Sequence, residues 1–208
     1  TVNDLAMAGA TPAWLSVGLI LEEGLDLQRL WRLLRSLRRA ADEAGVAIVT
    51  GDTKVVQRGR ADGLYINTTG VGFCAPGLAI APDRIRPGDA LVVNGDIAAH
   101  GVAVLAEREH LSFNSSLESD CMPLVDSVSA ILEAGIEVHC LRDLTRGGLA
   151  AVAHELARAS GTHFLLEEAG IPIGGAVRSA CELLGLEPMH VACEGRFVAS
   201  VPAAQAAR

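Results

Sequence analysis

The apolar positions change rhythm several times along the chain. Residues 1–10, TVNDLAMAGA, are short, alanine-rich and closed by Gly9, which predicts one or two helical turns. WLSVGLIL, from Trp14, is a nearly unbroken apolar run of strand length and predicts a buried strand. The period then becomes 3.6. Leu27, Leu30, Trp31, Leu34, Leu37, Ala41 and Ala44 line one face of a helix that Asp26 can cap and Gly45 can end in the left-handed conformation. VAIVT, residues 46–50, predicts a strand buried on both faces and running into a turn at residues 51–54. Residues 64–73 mix β-branched, aromatic and glycine residues, as a strand does.

A stretch rich in proline and glycine, CAPGLAIAPDRIRPGD, interrupts this pattern. It divides the chain into a first domain at 1–75, a linker at 76–88 and a second domain at 89–208. ALVVN then predicts a strand, Gly95-Asp96 a turn, and residues 98–108 a helix. The polar loop HLSFNSSLESD leads to a helix carrying Leu124, Val125, Val128, Ile131 and Leu132. IEVHC predicts a strand and RDLTRGG a loop, and the helix that follows presents Leu149, Val152, Ala153 and Leu156 on one face. A last strand is predicted at RFVAS. The expected class is α/β in two halves, with helices covering sheet faces.

Charge narrows the partners. The 17 basic residues are outnumbered by 25 acidic ones, for a net charge of −8, and they form no basic stripe. The densest basic stretch, residues 29–39, alternates with leucines at helical spacing and reads as a solvated helix face, so no nucleic-acid partner is expected. No apolar run has the length of a membrane span and no signal peptide is evident, so no membrane partner is expected either. Five widely spaced cysteines without a CxxC pair fit free thiols in a reducing compartment, hence a cytoplasmic protein. The chain opens at Thr1 without a Met and stops just after an apparent strand, which suggests part of a longer protein.

Four segments carry candidate chemistry. In Gly51-Asp52-Thr53-Lys54 the glycine lets a backbone approach a ligand, Asp52 offers a carboxylate to Mg²⁺ and Lys54 a point charge to phosphate. An ordinary strand-end turn reads the same way. Asn3-Asp4 suits a metal or ribose contact, and equally a helix cap. In residues 142–148, RDLTRGG, a helix start with glycines and Arg146 makes an anion site, or a flexible loop capped by Thr145. Glu194-Gly195 sets one acid at a turn before a strand, where an acid is usually only solvated. The histidines show no zinc-ligand spacing, and His139 and Cys140 fall on opposite faces of one strand.

Taken together, TVNDLAMAGA, VTGDTKVV, HGVAVLAEREHLSF, SLESDCMPLV, LRDLTRGGLAAVAHELA and CEGRFVA resemble successive blocks of hydrogenase-maturation proteins of the HypE type. These belong to the PurM-like, AIR synthetase-related superfamily, and the resemblance spans nearly the whole chain. TVNDLAMAGA is shared widely in the superfamily; GDTKVV and SDCMPL followed by DLTRGGLA are narrower.

The resemblance implies a PurM-like two-domain architecture. An N-terminal ATP-binding domain pairs with a second subunit in a homodimer, and a C-terminal α/β domain, incomplete here, folds over it. It implies ATP and Mg²⁺, with Asp4 and Asp52 as metal ligands. Asn3, Asp4, Asp52, Thr53, Lys54, Asp143, Arg146, Gly147 and Gly148 lie about the nucleotide, and Asp52, Lys54 and Glu194 take part in catalysis. The implied reaction is the ATP-dependent dehydration of an S-carbamoyl group on a C-terminal cysteine to a thiocyanate, the cyanide source for [NiFe]-hydrogenase iron. Implied partners are a HypF-type carbamoyltransferase and a HypC/HypD-type scaffold complex. Another PurM-like enzyme, an amidine-forming synthetase or small-molecule kinase, or a non-catalytic maturation scaffold, remain as alternatives. Two features depart from the pattern. Cys193 stands where the family usually has Asn, and none of the five cysteines matches the terminal one.

Overall fold

The computed structural model describes residues 1–111 and 117–208; part of the polar loop expected at 110–120, and the last two residues of the HGVAVLAEREHLSF block, lie outside the described residues. The chain divides into two compact units, Thr1–Pro76 and Gly77–Arg208.

The first unit opens with a short helix, α1 (Val2–Met7), and a long strand, β1 (Ala10–Glu22). A second helix, α2 (Leu27–Glu43), follows, then β2 (Ala47–Val56) and β3 (Leu64–Cys74). Asp26 starts α2 by accepting the Gln28 N–H on its side chain at 2.9 Å, and Gly45 follows its end with φ of 66°. The sheet runs β2-β1-β3, with β2 parallel to β1 and β3 antiparallel to it. Side chains alternate across β1: Leu15 and Val17 are buried towards the helices, while Trp14 and Ile20 stand 45% and 42% exposed on the other face. The core here is small, with Leu15, Ala41 and Val46 at its centre.

Two expectations are corrected in this unit. Residues 51–54 are not a turn but the interior of β2, hydrogen-bonded alongside Val17 to Ile20 of β1. VAIVT is not buried on both faces: Val46 is buried, and 47–50 are exposed, because β2 is an edge strand with a neighbour on one side only.

In the second unit β4 (Asp89–Val93) is followed by α3 (Ala99–Arg108) and α4 (Val125–Glu133). Then come β5 (Cys140–Asp143), α5 (Gly148–Ser160), α6 (Gly175–Leu184) and β6 (Phe197–Pro202). The antiparallel sheet runs β4-β6-β5, so the last strand lies in the middle, and its residues Phe197, Val198, Ala199, Ser200 and Val201 are all buried. Leu149, Val152 and Leu156 of α5 meet Val177, Ala180 and Cys181 of α6 in one core with Val198. The strand expected at IEVHC begins only at Cys140 and continues to Asp143, where its register against β6 ends opposite Phe197. Arg142 and Asp143 are therefore strand residues, not loop residues.

Candidate active site

Asp52 and Lys54 are two apart on β2 and share a face of the sheet, in rows with Gly18 and Asn67 and with Ile20 and Tyr65. Thr53 points to the opposite face. All three are exposed, and Asp52 Oδ1 accepts the Thr53 N–H at 2.9 Å. Gly51 is needed for strand packing: an added Cβ would lie 2.6 Å from the Val17 carbonyl oxygen. Asn3 and Asp4 lie on α1, Asp4 exposed and Asn3 half-buried with a partner. That helix is anchored over β3, the far edge from β2, by Thr1 Oγ1 against Thr68 Oγ1 at 2.6 Å.

The second unit holds the remaining candidates. Asp143 ends β5 with 7% exposure, and its carboxylate has no hydrogen bond or ion pair among the described residues. Leu144 ties this strand end to the next candidate. Its N–H donates to the Arg196 carbonyl, and its carbonyl accepts the Cys193 N–H, both at 2.9 Å. Asp143 and the half-buried Glu194 thus belong to one end of the sheet.

Arg146 is exposed, one residue before Gly147, the N-cap of α5, which has φ of 80°. Gly148 has φ of 61°, and its N–H already donates to the Thr145 carbonyl at 3.0 Å. A Cβ there would sit 2.5 Å from the Met189 carbonyl oxygen and 2.6 Å from that of Val191. Gly148 therefore serves the close approach of two backbones, and its N–H is not open to an anion. Among the described residues no group of three or more acids, histidines or cysteines could by itself hold a metal. Mg²⁺ is compatible with that, since it takes one or two carboxylates and completes its shell with phosphates and water. Within the first unit the two candidate carboxylates are not brought together: Asp52 is on β2, and Asp4 is on the helix anchored over β3 at the other edge of the sheet.

Burial sets the thiol chemistry. It pushes the Cys193 and Cys140 thiols up to about 11, and it raises those of Cys121 and Cys181 as well. Glu194 and Asp120 add to the rise at Cys121. None of these four is a ready nucleophile. Cys193 has a structural part instead: its sulfur accepts the Ala98 N–H at 3.2 Å, where Ala98 takes the left-handed conformation ahead of α3.

One residue that the sequence reading passed over is prominent here. Asp120 is 9% exposed and accepts the backbone N–H groups of both Glu194 and Gly195 on Oδ1, at 2.7 and 3.2 Å. The signal was faint, a lone Asp before a cysteine, because its partners are 74 and 75 residues away. A cavity of about 780 Å³ beside β4 is lined by Leu91, Val93 and Phe164 and by none of the candidates.

Comparison with known proteins shows what the chain is similar to. The family model described as AIR synthase related protein, C-terminal domain, matches residues 86–208, and that of the N-terminal domain matches residues 1–74. The carbamoyl dehydratase HypE of Azotobacter vinelandii is 51% identical over all 208 residues, which cover 61% of its length. The crystal structure of a hydrogenase maturation protein HypE in complex with ATP is 44% identical, with a TM-score of 0.96 over the whole chain and 62% of the neighbour. A HypE–HypF complex is 40% identical at a TM-score of 0.93, over 97% of this chain and 66% of the neighbour. The chain thus spans about three-fifths of the length of the curated relative.

Proposed function

Because the chain belongs to the AIR synthase related protein family, we propose that it forms the nucleotide-handling body of an ATP-dependent carbamoyl dehydratase of the HypE type. ATP phosphorylates the oxygen of a cysteine S-carbamoyl group. Loss of phosphate and of both nitrogen-bound protons leaves the thiocyanate, so that carbamoyl thioester and ATP give thiocyanate, ADP and phosphate. The product is the cyanide source for [NiFe]-hydrogenase iron.

Phosphoryl transfer asks mainly for positioning and for neutralised charge. Lys54 and Arg146 supply the positive charge, and Asp4 and Asp52 are the carboxylates that would hold Mg²⁺. Asn3, Thr53, Asp143, Gly147 and Gly148 shape the surroundings of the nucleotide. Glu194 takes a proton from the carbamoyl nitrogen, the task for which a half-buried carboxylate on a fixed turn is suited. Bound Mg²⁺ would screen the phosphate oxygens. The observation that carries this reading is the likeness of the whole chain to a HypE solved with ATP.

A homodimer is supported by the open face of the first sheet. Trp14, Ile20, Tyr65, Val71 and Phe73 are between 42% and 60% exposed there, an apolar patch of the kind that marks a protein contact. A HypF-type carbamoyltransferase is the proposed donor, by likeness to the HypE–HypF complex, with a HypC/HypD-type scaffold as acceptor. No described helix is long and apolar enough to cross a membrane; the cytoplasm is the proposed compartment.

The test is intact-mass spectrometry on this chain completed to the length of its relatives, with the carbamoyltransferase, carbamoyl phosphate and Mg²⁺·ATP. A carbamoyl adduct that then loses one water supports the reading. An adduct that persists with ATP present overturns it.

A further inference from the structure

The turn that carries Glu194 is held more tightly than an ordinary strand entry. Asp120 Oδ1 takes two successive N–H groups, those of Glu194 and Gly195. Asn94 takes the other side, donating from Nδ2 to the Gly195 carbonyl at 3.2 Å and accepting the Phe197 N–H on Oδ1 at 2.8 Å. Gly195 admits no side chain, since a Cβ would fall 1.9 Å from the Asp120 carbonyl oxygen and 2.5 Å from Met122 Cγ. The Asp120 segment is itself anchored. Ser119 Oγ meets His100 Nδ1 at 2.8 Å and accepts the Cys121 N–H at 3.1 Å. Asp120 Oδ2 is buried and has no hydrogen-bond partner among the described residues. A carboxylate kept in that state is retained at a cost in stability, which a capping role alone does not call for.

We propose that Asp120 is a positioning residue for the reaction: it fixes the Glu194–Gly195 turn and with it the direction in which the Glu194 carboxylate is presented. This rests on the reading of Glu194 as the group that takes the substrate proton. Asp120 touches neither nucleotide nor substrate, since its free oxygen is closed off from solvent. Its effect passes through two backbone hydrogen bonds, and a displacement of about 1 Å at a catalytic group is enough to cost on the order of 100-fold in rate.

The test is a double-mutant cycle in the completed protein with its carbamoyltransferase, reading kcat and the KM for ATP. Glu194→Gln alone shows whether the underlying reading holds, and wild-type kcat in that variant overturns the reading of Glu194 rather than the cycle. Where Glu194→Gln is slow, Asp120→Ala lowers kcat roughly 10- to 100-fold with the KM for ATP unchanged. The double variant is then no slower than Glu194→Gln, and Asp120→Asn, which keeps an acceptor oxygen, recovers most of the rate. Additive losses, or a wild-type kcat in Asp120→Ala, overturn the proposal. If circular dichroism shows that Asp120→Ala does not fold, Asp120→Glu replaces it in the same cycle with the same criteria, because one added methylene shifts the acceptor while keeping the charge.

Discussion

His139 Nδ1 lies 2.7 Å from Asp89 Oδ2, and on the other side of the ring Nε2 lies 3.0 Å from Glu137 Oε1. Ionised carboxylates only accept, so the two contacts together favour the imidazolium form of His139, with a proton on each ring nitrogen and an acid on either side. The Ser200 hydroxyl and the Arg86 N–H donate to the same Asp89 oxygen, at 2.8 and 3.0 Å.

The clamp makes the stability of the second unit depend on pH at both ends. Burial disfavours the His139 cation, but the hydrogen bonds to Asp89 and Glu137 outweigh it and raise its pKa above 6.5, against a smaller opposing effect of Arg86. Its stabilisation is complete below that unfolded value and is lost as pH rises through the higher folded one. Burial of Asp89 likewise opposes its charge, and the bonds from His139, Arg86 and Ser200 outweigh it and hold the pKa below 3.8. That contribution is present above 3.8 and disappears as pH falls through the folded value. His139→Ala should cost on the order of 3 kcal/mol near neutrality. In Tm measured against pH, His139→Gln should lack the alkaline fall of the wild type; an unchanged alkaline limb would refute the clamp.

Gly148→Ala should destabilise far more than Gly161→Ala. Both glycines have positive φ, 61° and 68°, so both substitutions carry backbone strain of about 1–2 kcal/mol. At Gly161 nothing lies within 4 Å of the new methyl, whereas at Gly148 two carbonyl oxygens stand at 2.5 and 2.6 Å. Overpacking adds about 1–3 kcal/mol there. Chemical denaturation of the two variants should differ by that amount, and equal losses would mean the backbone around Met189 yields freely.

The elements most legible in the sequence were those whose pattern is local. The period of Leu149, Val152, Ala153 and Leu156 places α5, and Asp26 and Gly45 mark the start and end of α2, because caps and helical faces act within a few residues. The extent of β2 was not legible: Gly51 looks like a turn residue until the Val17 carbonyl of β1 is seen against it. The start of β5 was misplaced for the same reason, since its ends are set by the ladder to β6, the last strand in the chain. Asp120 was missed because no spacing rule reaches across 74 residues.

Asp52→Asn should remove ATP turnover in the completed protein by about 100-fold or more while leaving the fold intact. Asp52 is exposed on an edge strand, and its one hydrogen bond, to the adjoining N–H, survives in an amide that keeps the acceptor oxygen. Matching circular dichroism with lost ATPase activity is the expected pair. Unchanged turnover would remove Asp52 from the proposed site.

Phe73→Glu should dissociate the proposed homodimer. Phe73 is 60% exposed and meets Trp14 edge-on, with ring centroids 5.5 Å apart and planes at 78°, so the two rings stand together on the open face. A carboxylate buried at such an apolar contact without a counter-charge costs several kcal/mol. Light scattering of the completed protein at micromolar concentration should change from dimer to monomer mass. Dimer mass in both proteins would move the interface elsewhere.

The thiols offer the most direct check on burial. Cys74 and Cys121 are exposed, while Cys140, Cys181 and Cys193 are 2%, 1% and 0% exposed. At pH 8 a thiol held at about 11 is only about one part in a thousand thiolate, so Cys140 and Cys193 are shielded by both packing and protonation. Cys121 is accessible, but its pKa is raised by its own partial burial and by the negative charge of Glu194 and Asp120, so it should react more slowly than Cys74. Brief iodoacetamide treatment of the native protein should therefore label Cys74 first and Cys121 second. The three buried thiols should react only after denaturant is added. Asp120→Ala should speed labelling at Cys121, since it removes one of the two charges that disfavour the thiolate, and peptide mapping would read that directly. Labelling of Cys193 in the native state would show that the Ala98 contact opens, and with it the turn that leads to Glu194.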